Sequence, residues 1–305
     1  MRIVLIGQAA FAKDTLSALI EKKENVVGVF CPPDKDTNKP DPVKSLSLEH
    51  SIDVLQFKRM RSEEAINTFK ELKPDLCVMA FVTDIIPNQI LEYPKFGTIQ
   101  YHPSLLPEHR GPSSINWPII QGKKTTGLSI FWPDDGLDTG PILLQKKVSI
   151  EKNDTLGTLY FNKLYPLGIH AILESIDLIR SGQAIKTPQN HSLATYEGWC
   201  KSDDVKIDWS ADKNSVFNLI RGSDPSPGAN TRFENHIVSL FDAELQDQNS
   251  NLSPGTINQI TDSQFSIAVK NGNIKVSRVK INSGKKINSG DFIKKLNITE
   301  GDRFN

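Results

Sequence analysis

Cysteine is scarce in this 305-residue chain: Cys31, Cys77 and Cys200 stand singly, with no Cys-x-x-Cys pair. That spacing excludes a disulfide framework and offers zinc no ligand set. Net charge is lacking too, since 36 Lys and Arg balance 36 Asp and Glu. A strongly basic nucleic-acid binder is therefore disfavoured, although a local patch is not. No apolar run approaches the length of a membrane span, and Met1 to Gly7 reads as a short strand running into glycine and not as a cleavable leader. A cytoplasmic protein with no membrane partner is expected. Gly7 and Gly28 are isolated and build no G-x-G-x-x-G, so dinucleotide binding is rejected. No internal repeat or low-complexity segment stands out.

What is present is apolar content of 38%, enough at this length for a large core and two domains. Strand-like runs at Ile3–Ile6, Val26–Phe30, Val54–Phe57 and Asp75–Phe81 alternate with helical patterns at Ala12–Lys22, Pro42–Glu49 and Ser62–Leu72. Strands interleaved with helices imply βαβ units, hence an α/β, Rossmann-like, mainly parallel sheet. A long helix is expected over Thr155–Arg180, kinked or divided near Pro166 and Gly168 and ended by Gly182. Gln183–Asp203 reads as a polar linker closing a domain over 1–204. Residues 205–305 carry shorter alternating runs, and Asn271-Gly272 between two of them signals a hairpin, so a small β-rich domain follows. From Lys270 onward nine Lys or Arg face three acids, which suits either a phosphate-binding surface or a solvated face.

The candidate chemistry gathers in two segments. Gln100-Tyr101-His102-Pro103-Ser104-Leu105-Leu106-Pro107-Glu108-His109-Arg110-Gly111 puts an amide and an imidazole at i and i+2 of a strand end, hence on one face, where ligands of open α/β sheets bind. Phe131-Trp132-Pro133-Asp134-Asp135-Gly136-Leu137-Asp138-Thr139-Gly140 is an acidic, Gly-bounded loop after the apolar run from Gly127. Asp138 reads either as a partner for His102 or as a plain turn residue. Ser104, Ser113 and Ser114 lack a Gly-x-Ser-x-Gly elbow, and Asp134, Asp135 and Asp138 lack companions at metal spacing, so no metal is expected.

His-Pro-Ser-Leu-Leu-Pro followed by Arg-Gly, then Asp-Thr-Gly after a strand, resembles the folate-dependent formyltransferases and hydrolases. The wording Tyr101 to Gly111 with Ile115 to Trp117 is most similar to the hydrolase domain of 10-formyltetrahydrofolate dehydrogenase, and the chain is similar to methionyl-tRNA formyltransferase as well. The resemblance implies that residues 205–305 form a small open β-barrel (OB-like) domain. It also implies 10-formyltetrahydrofolate as substrate and tetrahydrofolate as product.

On that footing His102 takes a proton from the nucleophile, Asp138 steadies the imidazole directly or through a water, and Gln100 donates to the developing oxyanion. Gln100 departs from the pattern, the transferases having Asn there and the hydrolase domain an apolar residue. Asp84, Ile85 and Ile86, with Ser104, Leu105, Leu106 and Pro107, match the segments that line the folate pocket. His109 and Arg110 either steer the folate's anionic tail or fix the loop. Transfer of the formyl group to water is the expected reaction. Methionyl-tRNA, engaged through the basic C-terminal domain, and a small amine are alternative acceptors, and a non-catalytic folate-binding module is the third reading.

Overall fold

The computed structural model describes residues 1–34, 39–246, 248 and 250–305. From the N-terminus run β1 (Arg2–Gly7), α1 (Ala9–Glu21), β2 (Asn25–Cys31), α2 (Pro42–Glu49), β3 (Val54–Gln56), α3 (Glu63–Glu71), β4 (Leu76–Ala80), α4 (Asn88–Leu91), β5 (Thr98–His102), α5 (Asn116–Ile120), β6 (Thr125–Phe131) and β7 (Ile142–Ser149). These strands form one seven-stranded sheet in the order β3-β2-β1-β4-β5-β6-β7. The five strands from β3 to β5 are parallel, and β6 turns antiparallel against β5. The expected mainly parallel α/β sheet is thus present, and every residue of β4 is buried, as befits a strand covered on both faces.

Strand order grows outward from β1 through β2 to β3 and then resumes at β4 on the other side of β1. The crevice beyond the carboxyl ends of β1 and β4 is therefore the topological switch point. Gly7 ends β1 there, and a Cβ at this position would lie 2.2 Å from the Ala80 carbonyl oxygen. Only glycine lets the two strand ends approach so closely. Asp41 fixes two helix starts, its carboxylate accepting from Ala9 N at 3.0 Å and from Val43 N at 2.9 Å, a use of negative charge that helix N-termini favour.

The helix expected over Thr155–Arg180 is divided, but earlier than Pro166. It comprises α6 (Leu156–Leu159), a π-helical turn at Tyr160–Leu164, and α7 (Tyr165–Arg180). Pro166 falls in the first turn of α7, where its missing N–H costs nothing. Gly168 sits inside α7 without interrupting it, and Gly182 at φ +71 follows its end.

The remaining elements are α8 (Lys213–Gly222), β8 (Ala229–Phe233), β9 (His236–Gln246), β10 (Ile257–Asn258), β11 (Phe265–Val269), β12 (Gly272–Ile281), β13 (Lys286–Asn288) and α9 (Ser289–Leu296). They make a curled antiparallel sheet, β10-β11-β12-β9-β8 with β13 beside β12, around a core that includes Trp209, Phe217, Phe265, Phe292 and Phe304. The hairpin signalled by Asn271-Gly272 joins β11 and β12, one residue earlier than read. Val269 pairs with Gly272, so Lys270 and Asn271 are the turn, with Asn271 at φ +63.

Two compact units result: Met1–Arg110 with Gly127–Lys147 and Lys163–Tyr196, and Gly111–Thr126 with Val148–Asn162 and Glu197–Asn305. Residues 183–196, read as linker, therefore belong to the first unit.

Candidate active site

His102 closes β5, and Gln100 precedes it on the same face of the strand. Register places Gln100 opposite Met79 and Phe131, and His102 opposite Ser129. The His102 ring is buried. Its Nε2 lies 2.9 Å from the His109 carbonyl oxygen and its Nδ1 lies 3.6 Å from Asp138 Oδ2. A carbonyl only accepts, so Nε2 carries the hydrogen of the neutral ring and the Nδ1 lone pair faces Asp138. The gap to Asp138 exceeds a direct hydrogen bond, yet it is too narrow to seat a water between the two atoms, so the carboxylate faces the ring directly.

Asp138 is itself buried and adopts φ +55. The ordinary turn work in its loop falls to another aspartate: Asp134 Oδ1 accepts from Gly136 N at 3.1 Å and from Thr139 Oγ1 at 2.5 Å. Gly140 is required by close approach, a Cβ there meeting the Trp132 carbonyl oxygen at 1.8 Å.

Gln100 is half-buried, and its side chain makes no hydrogen bond among the described residues. The Ser104–Pro107 loop is tethered to the sheet. Ser129 Oγ donates to the Ser104 carbonyl at 2.7 Å and accepts from Leu106 N at 3.1 Å, while Gln145 Nε2 donates to the Leu106 carbonyl at 2.8 Å.

Asp84, Ile85 and Ile86 lie on the loop after β4. The Asp84 carboxylate accepts from Met60 N at 2.8 Å and faces Arg59 at 3.6 Å, Ile85 is exposed, and Ile86 is buried. Asp84 also borders a cavity of about 220 Å³ at the switch point, shared with Gly7, Gln8, Cys31, Arg59 and Thr83. His102 and Asp138 are brought together. No group of three or more His, Cys, Asp or Glu side chains could hold a metal among the described residues.

Arg110 is turned inward. Its guanidinium donates to Gln189, Tyr196 and His191, so of the two readings of this residue the loop-fixing one fits its burial. Sequence reasoning passed over Gln189, Thr195, Ser129 and Gln145. Thr195 Oγ1 accepts from His109 N at 2.8 Å, across 86 positions of chain, and a partner so distant leaves no local pattern to read.

Residues 1–174 match the Formyl transferase family and residues 200–297 match Formyl transferase, C-terminal domain. Mitochondrial 10-formyltetrahydrofolate dehydrogenase of Mus musculus is 41% identical over 250 residues, covering 80% of this chain and 27% of its own length. The chain thus spans about a quarter of that relative. Methionyl-tRNA formyltransferase of Geotalea daltonii is 34% identical over 306 residues, covering 99% of this chain and 97% of its own. The crystal structure of HypX from Aquifex aeolicus in complex with tetrahydrofolic acid shares the fold at TM-score 0.73 and 18% identity, covering 97% of this chain and 47% of that one. With both family segments matched and one relative aligned nearly end to end, the chain belongs to the folate-dependent formyl transferase family.

Proposed function

We propose that this protein removes the formyl group of 10-formyltetrahydrofolate and passes it to water. The observation that carries the catalytic part is the buried His102 ring, held through Nε2 by a backbone carbonyl with its basic Nδ1 turned toward Asp138. In this reading a water hydrogen-bonded to Nδ1 attacks the formyl carbon while its proton passes to Nδ1. The new C–O bond leaves a tetrahedral oxyanion, which the imidazolium and the Gln100 amide N–H stabilise. The Asp138 charge stabilises the imidazolium as it forms. Collapse breaks the bond from carbon to the folate nitrogen, that nitrogen takes the proton back from His102, and formate and tetrahydrofolate leave. The loops at 84–86 and 104–107 are assigned to the folate, whose flat heterocycle suits a slot of backbone donors and acceptors with apolar walls.

The choice of water is supported by the C-terminal cations. Lys275 pairs with Glu244, Arg278 stands 3.7 Å from Asp242, and Lys286 stands 3.5 Å from Asp224. Cations already matched by carboxylates have less to offer a phosphate backbone. A second reading, formyl transfer to methionyl-tRNA, is favoured by the nearly end-to-end match to the Geotalea daltonii enzyme.

Incubation with 10-formyltetrahydrofolate, with and without methionyl-tRNA, separates them. Formate released without tRNA supports hydrolysis. Turnover only with tRNA, yielding formylated aminoacyl-tRNA, overturns it in favour of the transferase.

A further inference from the structure

Arg110 is 2% exposed and makes no ion pair among the described residues. A guanidinium taken out of water needs its donors satisfied, and here neutral acceptors do this. Nε and Nη2 reach Gln189 Oε1 at 3.2 and 2.7 Å, Nη1 reaches the Tyr196 hydroxyl at 2.8 Å, and Nη2 reaches His191 Nδ1 at 3.0 Å. With its oxygen pinned by this fork, the Gln189 carboxamide turns its nitrogen to the Asp138 carbonyl at 2.9 Å and the Gly140 carbonyl at 2.6 Å. Arginine only donates and carbonyls only accept, so a single orientation of the amide satisfies all four contacts. Gln189 is itself 5% exposed.

Those two carbonyls frame the turn that holds Asp138 at φ +55, a left-handed conformation that aspartate tolerates better than most residues and that contacts to the turn select. We infer that Gln189, locked by Arg110, is a positioning residue: it clamps the Asp138–Gly140 turn so that the Asp138 carboxylate faces His102. The inference rests on the reading of His102 and Asp138 as the catalytic pair. Released from the clamp, the turn relaxes toward a right-handed or extended backbone and carries the carboxylate away from Nδ1. Displacement of a reacting group by about 1 Å costs on the order of 10²-fold in rate.

The test is Gln189→Glu. Glutamate keeps the acceptor for Arg110, as an ion pair, and removes the N–H donors that the two carbonyls require. The expected result is formate release with kcat lowered at least about tenfold, KM for 10-formyltetrahydrofolate within about threefold of wild type, and a folded protein by circular dichroism. Where the glutamate variant does not fold, Gln189→Asn, too short to span both sets of partners, is read in the same way. Unchanged kcat overturns the inference, and so does a fall in kcat matched by a proportional rise in KM, which is the signature of general loosening. Wild-type protein that neither releases formate nor transfers the formyl group overturns the catalytic reading itself, and the clamp with it; an active wild type beside an equally active Gln189→Glu overturns the clamp alone.

Discussion

A carboxylate 3.6 Å from an imidazole nitrogen is too far to hydrogen-bond and close enough to attract a positive ring, by on the order of 4 kcal/mol at an effective dielectric constant of about 20. That attraction matters only once His102 has taken a proton, so it acts on the transition state more than on the resting enzyme. Asp138→Asn keeps the shape and removes the charge. Its expected consequence is formate release lowered by about 10²- to 10⁴-fold with folate affinity retained, measured by steady-state kinetics and equilibrium binding. His102→Ala should cost a similar factor, and the double variant little more than either, because the pair acts as a unit. An Asp138→Asn enzyme within a few-fold of wild type would remove the aspartate from the mechanism. The cysteines carry a separate prediction. Burial pushes the Cys31 thiol up to about 11, with Asp41 and Asp34 adding to the effect, and burial pushes Cys77 up to about 12. Raised values keep a thiol protonated, so about one Cys31 in 10⁴ is thiolate at neutral pH. Native protein at pH 7 should therefore react slowly with a thiol reagent and denatured protein rapidly at all three cysteines; fast native labelling at Cys31 or Cys77 would contradict this.

Helix α7 shows two opposing contributions at one position. Gly168 lies within it, and alanine there would add about 1 kcal/mol of helix propensity. A Cβ on Gly168, however, would stand 2.5 Å from Tyr101 Cε2 and 3.1 Å from Phe11 Cζ, in a stack whose ring centroids are 4.5 Å apart. Overpacking a filled core costs about 1–3 kcal/mol, so the clash outweighs the propensity gain. Gly168→Ala is expected to lower stability, read as a reduced denaturant midpoint, and because Tyr101 precedes His102 it should also lower kcat. A stabilised Gly168→Ala would show that the helix can retreat from β5. The same helix shows where sequence is legible. Its buried stripe, Ala171, Ile172, Ser175, Ile176 and Ile179, follows a 3.6-residue period and can be read directly. So can α2, whose start is marked by Asp41 before Pro42. The π turn at Tyr160–Leu164 has no such period, and Gly168, which propensity reads as a break, is explained only by the rings beneath it. His102 and Asp138 were legible as residue types at a strand end and in a Gly-bounded loop. Gln189 was not, since its two carbonyl partners lie about fifty positions away and a polar residue after a helix reads as linker.

For the chain as a whole, zero net charge leaves the fate of individual cations to decide what it binds. Nine Lys or Arg fall between Lys270 and Arg303, and as a sequence they form a basic tail. The folded sheet changes that count, because β12 and β9 run antiparallel with Lys275 directly opposite Glu244, and cross-strand pairs of opposite charge are mutually satisfied. Arg278 and Lys286 also face carboxylates, and Lys286 stands 3.6 Å from the centre of the Phe241 ring. Folding, which composition does not reveal, thus sets three of the nine cations beside carboxylates. Lys294 and Lys295, adjacent and exposed in the last turn of α9, make no ion pair among the described residues, and neither do Lys270, Lys280, Lys285 and Arg303. A site built from two or three phosphate contacts loses at most about 50-fold in affinity for RNA between 50 and 200 mM salt, whereas six or more contacts lose about 10³-fold or more. The shallow dependence is expected here, together with formate release that changes less than about twofold over the same range. Binding of methionyl-tRNA measured across that range, in wild type and in Lys294→Glu/Lys295→Glu, decides the matter. A steep slope that the double substitution flattens would make the C-terminal cations a nucleic-acid surface despite their partners, and would favour tRNA over water as the acceptor.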